Sequence, residues 1–583
     1  MFRKKTLMTR MVGLAVLAAM IAGCAGGPAP TAAPEQPAAP AAPEATTAPE
    51  PTAAPEATQA KAEEPAATAA PTIDLPGLNL VPDRKLYKGT IVVSTNGTNP
   101  DRVRFQSLAE AYKLVQPDVE VIFEGTPAGV GYPEWLGTQL AAGEPSQVRP
   151  DIVSGNYQPT YANYVNLDKY VFQTNPYTGR IWNEDVDWSF WQERNARGER
   201  IMLPTEAVHI LWFYNKDILD KVGVAPPKTW DELEAACEKI EAAMPEISCV
   251  GANYIWKLNQ WILQIYWDQY ARDIIDIARC KAGDYCYDEE VDGKFVFDPN
   301  NVMVEGTYNK NFSRYYAAIR DGQIKFDTPE MADMVRNLAK IYPKYASPSL
   351  FVDATEYSQF LQQQVAMIID GTWSLGGLTR DMRSLTNLTA ERMKQLGISE
   401  TTKLQPFTWG TFENPAMTGP LVRFPNVRSI ESATGVYASI IDKSAEQTEM
   451  VLDFLMFWFS QPGYQAYVDG DLRDPVTPGG YSPAGPVMVK GVQIPEEYQK
   501  LMDGVQMMGN VENGLFLPHR FPIENLDKEA MNKLKDALEG KITPEDYAAW
   551  LQKAWMDNFN EIITKAGLTQ EDLDNPARDP AAN

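Results

Sequence analysis

The chain has 583 residues, 44% of them hydrophobic, and a formal net charge of −25. A field so negative attracts neither nucleic acid nor an anionic bilayer, which excludes both as main partners, and we interpret the acidity as a source of solubility. The body, residues 80–568, exceeds the size at which a single core stops growing. Two or more lobes are therefore expected.

Residues 1–23 predict a secretion signal. A cationic start, RKK at 3–5, precedes a mostly apolar stretch at 11–22, which is shorter than the roughly 20 residues of a membrane-spanning helix. The stretch ends in IAGC, which resembles the lipobox of bacterial lipoproteins and implies that Cys24 is acylated. An ordinary signal followed by an incidental cysteine is the alternative.

Residues 24–79 are rich in Ala, Pro, Thr and Glu and predict a disordered tether. Few of them are large and apolar, so burial cannot offset the entropy cost of ordering, and frequent proline favours an extended chain. With the lipidated Cys24, the tether predicts an extracytoplasmic protein that a lipid anchor holds at the cell membrane.

The remaining cysteines are even in number, which in an exported chain predicts disulfides: Cys237, Cys249, Cys280 and Cys286. Of the three possible connectivities we prefer the local one, Cys237 with Cys249 and Cys280 with Cys286. Zinc is the alternative. The cysteine spacings are unlike those of a zinc site, and the only histidines are His209 and His519, so we expect no metal.

The body begins with an α/β pattern. The sequence KGTIVVSTNGTNP predicts a first strand at 90–94 and a polar loop at 95–99. An amphipathic helix and a second strand at 119–123 follow, and a further helix near 134–142 leads to a third short strand within 150–155. This order predicts a parallel α/β unit, in which ligands lie outside the carboxyl ends of the strands.

Several helix starts follow. In HILWFYNKDILDKVGVAPPKTWDELEAACEKI the apolar start predicts a strand, and PPKTWDEL predicts a helix with Thr229 as N-cap and Glu232 as its capping-box partner. Thr328 and Thr543, each followed by Pro-Glu, begin two more helices. The Met and Trp residues on one face of these helices are interpreted as core rather than as a cofactor site.

Three stretches carry a family resemblance: LWFYNKDILDKVGVAPPKTWDEL at 211–233, VAMIIDGTWSLGGL at 365–378 and GVYASIIDKSAEQTEMVLDFLMFWFSQPGYQ at 435–465. In this order they resemble the extracellular solute-binding proteins of ABC importers, in particular the group that includes maltose-binding protein. The resemblance covers about 88–568, nearly the whole body.

The resemblance implies a periplasmic-binding-protein-like α/β fold, with two discontinuous lobes joined by a multi-strand hinge. We expect the first lobe at 88–205 and 406–460 and the second at 210–400 and 465–567. Residues 277–326 look like an insertion relative to smaller members of the family. Residues 568–583 form a C-terminal tail.

Sugars offer hydroxyl groups and apolar ring faces, which bind carboxylates or amides and aromatic rings respectively. The resemblance places candidate ligand contacts in the first lobe at Asn96, Gly97, Tyr132, Trp135, Asn156 and Tyr157. Near the hinge crossings it places Glu206, His209, Trp409 and Phe412. In the second lobe it places Asn259, Gln260, Trp261, Asp370, Trp373, Phe516 and His519. For each of these residues, packing or simple ion pairing is the alternative interpretation.

The function that this resemblance implies is capture of a small polar solute, with a carbohydrate favoured, by closure of two lobes and its delivery to the permease of an ABC importer. No catalytic residue and no cofactor is expected, and we expect a monomer. A secreted carbohydrate-active hydrolase, with Asp370 and Glu413 as its carboxylates, is the alternative from another class. Binding of a peptide, a polyamine or glycerol phosphate, and a role in sensing, also stay open.

Overall fold

Two mixed β-sheets organise the protein, as a computed structural model shows. The structure describes residues 75–95, 102–126, 132–141, 148–153, 164–187, 200–201, 203–204, 207–352, 355–429, 431–433, 437–473, 485, 487–502, 505, 509 and 515–580. The predicted signal, Cys24 and nearly all of the predicted tether lie outside these residues. Both sheets belong to one compact unit, Pro71–Asn583.

The strands lie, in chain order, at β1 Gly89–Ser94, β2 Val119–Glu124, β3 Ile152–Val153, β4 Leu203–Pro204, β5 Ala207–Asn215, β6 Ser248–Gly251, β7 Val365–Gly371, β8 Trp409–Phe412, β9 Glu431–Ala433 and β10 Tyr437–Ile440. The α-helices before β7 are α1 Val103–Val115, α2 Tyr132–Ala141, α3 Trp182–Asp185, α4 Lys216–Lys221, α5 Trp230–Ala243, α6 Leu263–Ala271, α7 Ile274–Ala278, α8 Phe312–Arg320, α9 Pro329–Ile341 and α10 Glu356–Leu361.

After β7 the α-helices are α11 Trp373–Arg383, α12 Ala390–Gln395, α13 Ala445–Trp458, α14 Gln461–Arg473, α15 Glu496–Met502, α16 Glu524–Leu538, α17 Pro544–Asp557, α18 Phe559–Lys565 and α19 Gln570–Asp574. Residues Tyr254–Ile262 form a π-helix, and short 3₁₀ turns lie at Asp292–Lys294, Val304–Thr307 and Leu385–Asn387. No helix among the described residues is long and apolar enough to cross a membrane.

The first sheet has the strand order β2-β1-β3-β10-β4. Strand β1 lies parallel to β2 and to β3, and α1 connects β1 to β2 with Phe105, Leu108 and Tyr112 buried. The predicted parallel α/β unit at the start of the body is therefore confirmed. Strand β10 returns antiparallel to β3 and β4.

The second sheet has the order β6-β7-β5-β8, and β9 pairs with the start of β5. Strand β5 is antiparallel to β7, β8 and β9, whereas β6 is parallel to β7. Along β5, Ile210 and Trp212 join one buried cluster, while Leu211 and Phe213 join another. This alternation shows that β5 is covered on both faces.

The chain passes between the two sheets more than once. It leaves the first sheet after Pro204 and enters the second at Ala207, and it returns between Ala433 and Tyr437. The core of the first sheet also takes in Tyr498, after which Leu515 joins the core of the second. Each sheet is thus built from separated pieces of chain.

Two of these pieces pack differently from the predicted lobe ranges. Strand β8 extends the second sheet, and Met417 and Val427 join its core, although the prediction gave 406–460 to the first lobe. Helix α14 packs on α1, where the Arg104 guanidinium donates hydrogen bonds to Asp471 at 2.9 Å and to Tyr467 at 2.8 Å. Strand β8 joins the second sheet because it pairs directly with β5. Helix α14 stays with the first sheet because it follows α13 after only two residues.

The helix caps agree with the sequence with one exception. The Thr229 and Thr328 side chains cap α5 and α9, and Thr543 forms a full capping box with Asp546. The capping box predicted at Thr229 is wrong in one half, because the Glu232 carboxylate accepts from the Lys228 N–H at 2.7 Å.

Residues 277–326 pack into the second core through a buried ionic network. The Asp268 carboxylate accepts hydrogen bonds from Arg272 at 2.6 Å and from Arg428 at 2.5 Å, and a second Arg428 nitrogen lies 3.0 Å from Glu305. The Lys310 ammonium lies at the margin, 3.8 Å from Glu305. Burial alone would raise the pKa of Asp268, but the two guanidinium groups outweigh burial and lower it.

Both preferred disulfides are present in the structure. Cys237 on α5 is bonded to Cys249 on β6 with a Cα–Cα distance of 5.1 Å, and Cys280 is bonded to Cys286 at 5.8 Å. The first joins a helix to the second sheet, and the second closes a short loop within 277–326.

The leading segment, residues 75–88, lies against the first core. Leu75, Leu78 and Tyr87 pack on that core. The Asn79 N–H donates to the Tyr177 carbonyl at 2.8 Å, and the Val81 N–H donates to the Pro176 carbonyl at 2.9 Å. We call residues 75–88, which pack on the first sheet's side, the strap.

Candidate functional site

The carboxyl ends of β6 and β7 form the edge of the second sheet where several candidates meet. The two strands are parallel, with Gly251 paired to Ile368. Strand β7 ends at Gly371, and α11 begins at Trp373, while the π-helix Tyr254–Ile262 follows β6. Because ligands of α/β sheets lie outside the carboxyl ends of the strands, this edge is the first place to look for a site.

Trp261 and Trp373 lie together at this edge. Their ring centroids are 5.7 Å apart, and the ring planes are inclined by 55°. Trp261 is only 4% exposed, whereas Trp373 is half-buried and keeps part of its surface accessible. The pair therefore offers an aromatic surface through Trp373, with Trp261 as its support.

Gly371 makes the position of Trp373 possible. A Cβ added at Gly371 would overlap the ring atoms of Trp373. The Gly371 N–H also donates to Asp370 Oδ1 at 2.9 Å. The Gly-Thr-Trp sequence thus brings an indole against the end of a strand because one residue lacks a side chain.

A buried charge cluster, Lys257 with Glu356 and Asp370, adjoins the two indoles. The Lys257 Nζ lies 2.8 Å from Glu356 Oε1 and 3.2 Å from Asp370 Oδ2, and the three side chains are 3%, 6% and 8% exposed. The Ser374 hydroxyl donates to Asp370 Oδ2 at 2.9 Å. We call Lys257, Glu356 and Asp370 the triad.

The π-helix carries Lys257, Asn259, Gln260 and Trp261. π-Turns are rare and often lie at functional sites. The Asn259 amide nitrogen is buried without a hydrogen-bond partner, and so is the amide oxygen of Gln264. Gln260 is half-buried, and its carbonyl accepts from the Gln264 amide at 3.0 Å. Polar groups buried without partners are uncommon in proteins and point to an unusual environment.

Phe516 and His519 are both buried, and His519 contacts the π-helix. The His519 Nε2 is 2.7 Å from the Asn259 carbonyl, and burial lowers the pKa of His519 to about 4. The neutral imidazole therefore donates from Nε2 to that carbonyl. Phe516 packs under Arg428, whose guanidinium carbon lies 5.6 Å from the ring centroid. Their role as ligand contacts stays a prediction.

His209 lies where β5 changes partners from β9 to β7. Its Nε2 is 2.6 Å from Glu413 Oε2. Its N–H donates to the Thr372 hydroxyl at 3.1 Å, and its carbonyl accepts from the Thr372 N–H at 2.9 Å. His209 thus ties the crossing between the sheets to the Gly-Thr-Trp sequence, which favours a structural role at this crossing.

Trp409 and Phe412 lie on β8 opposite β5. The Phe412 ring stacks on Trp212 with centroids 5.8 Å apart, and Trp409 lies 6.1 Å from Phe213. Both are half-buried, so each packs on the sheet with part of its ring and keeps part accessible.

A family model described as bacterial extracellular solute-binding protein matches residues 96–464. The match takes in more than half of the chain, including every strand from β2 to β10 and the edge that carries the two indoles. The chain belongs to this family. The predicted resemblance is therefore confirmed.

Individual relatives are distant. This solute-binding protein is 22% identical to the maltotriose-binding protein of Pyrococcus abyssi (strain GE5 / Orsay) over 299 residues, which are 50% of this chain and 51% of that protein. The chain therefore spans about half the length of the curated relative it matches.

A solved structure with a TM-score of 0.50 supports the fold, and a second is only similar. A chitin oligosaccharide binding protein is 15% identical and has a TM-score of 0.50, over 81% of this chain and 98% of its own. The cyclic alpha-maltosyl-1,6-maltose binding protein from Arthrobacter globiformis is 16% identical and has a TM-score of 0.48, over 80% and 98%. The predicted periplasmic-binding-protein-like fold is confirmed.

The first-lobe candidates of this solute-binding protein are described only in part. Asn96, Gly97, Asn156, Tyr157 and Glu206 lie outside the described residues. Tyr132 begins α2, but its side chain is not described, and Trp135 packs partly buried against the cluster that contains Leu136 and Ile441. These residues stay predictions.

Sequence reasoning missed Lys257 and Glu356, which complete the triad around Asp370. The signal was present in YIWKLNQWI, where a lysine lies in an otherwise uncharged and largely apolar run and must find buried partners. Among the described residues, no group of three or more His, Cys, Asp or Glu side chains could hold a metal ion.

Proposed function

We propose that this solute-binding protein captures a small polar solute, a carbohydrate, at the edge formed by β6 and β7. The observation that carries the proposal is the Trp261–Trp373 pair beside Asp370. The apolar face of a sugar ring can stack on the accessible indole of Trp373, and nearby carboxylate and amide groups can bind its hydroxyls.

Relatives support a carbohydrate as the solute class. The names of the similar proteins specify maltotriose, chitin oligosaccharide and a cyclic maltosyl-maltose. The ligands in these names are all oligosaccharides, but they are different sugars. A peptide, a polyamine or glycerol phosphate is the alternative cargo, and the binding experiment below separates these classes.

Capture requires contacts from both sides of a cleft. Closure moves the first and second sheets toward each other around the crossings at residues 204–207 and 433–437. A solute shifts the equilibrium toward the closed form only by its difference in affinity for the two forms. The first-lobe candidates are the expected source of the second set of contacts.

Delivery to an ABC permease, a monomeric state and a lipid anchor at Cys24 complete the proposal. The extracellular family supports a location outside the cytoplasm. A lipidated Cys24 followed by the tether would keep the protein beside its permease without a spanning helix.

The decisive variant is Trp373→Ala. We expect maltotriose, triacetylchitotriose or raffinose to raise the melting temperature of the wild-type protein and to reduce its radius of gyration in solution scattering. Trp373→Ala should weaken binding of the stabilising sugar about fivefold or more, since a ring stacked on an aromatic side chain is worth about 1–3 kcal/mol.

The matched control is Trp550→Ala, which truncates another half-buried tryptophan, on α17, whose Nε1 donates to Glu529. It should leave sugar affinity unchanged. If peptides or polyamines stabilise the protein and no sugar does, the carbohydrate assignment fails.

The protein is proposed to bind without breaking bonds. Asp370 is held by Lys257 and Ser374, and Glu413 is paired with His209, which supports structural tasks for both carboxylates. We expect no release of reducing ends when equimolar protein is incubated with amylose or chitin oligosaccharides for a day. Measurable release would favour the hydrolase instead.

A further inference from the structure

The geometry points to a site that selects its solute by charge. We infer that the triad lets the edge beside Trp261 and Trp373 accept uncharged or cationic carbohydrate and reject carbohydrate that carries a carboxylate or phosphate. This inference rests on the proposed function and adds the charge class of the solute.

Lys257 cannot serve as a cation for an anionic solute, because its ammonium group is already paired with Glu356 and Asp370. Its Nζ contacts one oxygen of Glu356 and one of Asp370, and its side chain is only 3% exposed. The Nζ also lies 6.0 Å from the centroid of the Trp261 ring, so its third side faces an indole. A lysine whose ammonium group is surrounded by two carboxylates and an indole has no free side with which to bind an incoming anion.

The triad retains a negative charge. One lysine against two carboxylates leaves a formal charge of −1 in a region that is less than a tenth exposed. The charge is not fully matched by hydrogen bonds either, because Glu356 Oε2 is buried without a partner. The N–H of Gly371 and the hydroxyl of Ser374 donate to Asp370 and not to Glu356 Oε2.

This charge lies close enough to Trp373 to act on a stacked solute. Lys257 contacts the support indole Trp261, Trp261 lies 5.7 Å from Trp373, and Asp370 precedes Trp373 by three residues. Between partly buried charges the effective dielectric constant is far below that of water and salt screens little. A carboxylate on the solute would meet a like charge, whereas a hydroxyl or an ammonium group could donate to it.

The test uses sugars that differ only in one charge. Maltotriose and triacetylchitotriose are each compared with a derivative in which one primary hydroxyl is oxidised to a carboxylate and with one in which it is replaced by an amine. Calorimetric titration at pH 7 gives the affinities. For a parent sugar that binds, we expect the carboxylate derivative to bind at least tenfold more weakly and the amine to bind equally or more tightly.

The variant Glu356→Gln removes one negative charge and leaves the triad formally neutral. It should reduce the ratio of the parent affinity to the affinity of the carboxylate derivative to about threefold or less. The control Glu545→Gln changes an exposed glutamate on α17 that pairs with Arg336. It should keep the full tenfold difference.

The wild-type comparison needs no variant, so it stays decisive even if Glu356→Gln fails to fold. Equal or tighter binding of the carboxylate derivative would overturn the inference and would show that Lys257 is released to bind anions. An unchanged ratio in folded Glu356→Gln would also overturn it. If neither parent sugar nor any derivative binds at millimolar concentration, the proposed function fails, and the charge inference fails with it.

Discussion

Two buried charge clusters lie in the body built on the second sheet, and they differ in the balance of positive and negative charge. In the network around Asp268, two arginines face two carboxylates, and Asp268, Arg272, Arg428 and Glu305 are at most 1% exposed. The triad has one lysine for two carboxylates and leaves one carboxylate oxygen without a partner. The first cluster lies inside the core beside residues 277–326, and the second lies at the edge of the sheet beside a half-buried indole.

The difference separates a cluster that holds the fold from one that adjoins a site. Arginine binds carboxylates through a rigid fork, so the first network satisfies its charges with hydrogen bonds among protein groups. The triad is incompletely satisfied, as is common where a protein meets a ligand. The comparison therefore predicts that variants of the network change stability alone, and that variants of the triad change stability and solute selection.

The largest expected effect is on the network. Arg428→Met leaves Asp268 and Glu305 buried without their shared partner and should lower the free energy of unfolding by about 4 kcal/mol, as for other broken buried ion pairs. Urea unfolding followed by circular dichroism measures this loss. The matched control is Arg423→Met, which removes an exposed arginine paired with Asp273 and should cost less than about 1 kcal/mol.

Equal losses for the two arginine variants would contradict the view that Arg428 fastens residues 277–326 to the core. A changed preference between neutral and carboxylated sugars in folded Arg428→Met would contradict the separation between the two clusters.

A smaller loss is expected for the triad. Lys257→Met leaves Glu356 and Asp370 unpaired, but both lie at the edge of the sheet, so the free energy of unfolding should fall by about 3 kcal/mol. Tryptophan fluorescence should change, because Trp261 loses the ammonium group that lies 6.0 Å from its ring centroid. Lys340→Met, which removes a half-buried lysine paired with the exposed Asp231, should change neither quantity appreciably. A stable variant with unchanged fluorescence would show that the triad does not position the indoles.

The smallest of the three effects concerns His519, which bonds to the π-helix that carries Lys257. Its folded pKa of about 4 is below the ordinary value of 6.5, so the folded state binds fewer protons. The contribution of neutral His519 to the free energy of unfolding is therefore complete above pH 6.5. It is lost as the pH falls toward 4, because the unfolded state takes up a proton before the folded state does. Between pH 6.5 and 5 the loss should be about 2 kcal/mol.

His519→Gln should remove most of this pH dependence, as urea midpoints at pH 6.5 and 5 would show. The chain has only one other histidine, so His209→Gln reports the remaining contribution of histidine. An unchanged slope in His519→Gln would mean that His519 does not carry the effect.

More of the fold than of the candidate site could be predicted from the sequence. Local patterns decided the start of the first sheet and the helix caps at Thr229, Thr328 and Thr543, whereas Trp373 was named through the family resemblance. The sheet start and the caps depend on residues close together in the chain. The assignment of β8 and α14 to the wrong sheet shows the limit, because which sheet a strand or helix joins depends on distant partners.

The triad and the network could not be predicted for the same reason. Lys257 meets Glu356 and Asp370 only after β6, β7 and α10 have assembled, and Arg428 meets Asp268 across 160 residues. A lysine in an apolar run signals that some partner is required, but it does not identify that partner.

The strap at residues 75–88 has a mechanical consequence. Any pull on the chain upstream of residue 75 enters the fold through the backbone bonds to Pro176 and Tyr177, and it spreads into the body built on the first sheet. In the proposed closure the body on the first sheet stays attached to the upstream chain, and the body on the second sheet rotates toward it. Tension in the predicted tether would then exert no direct torque on the body that rotates.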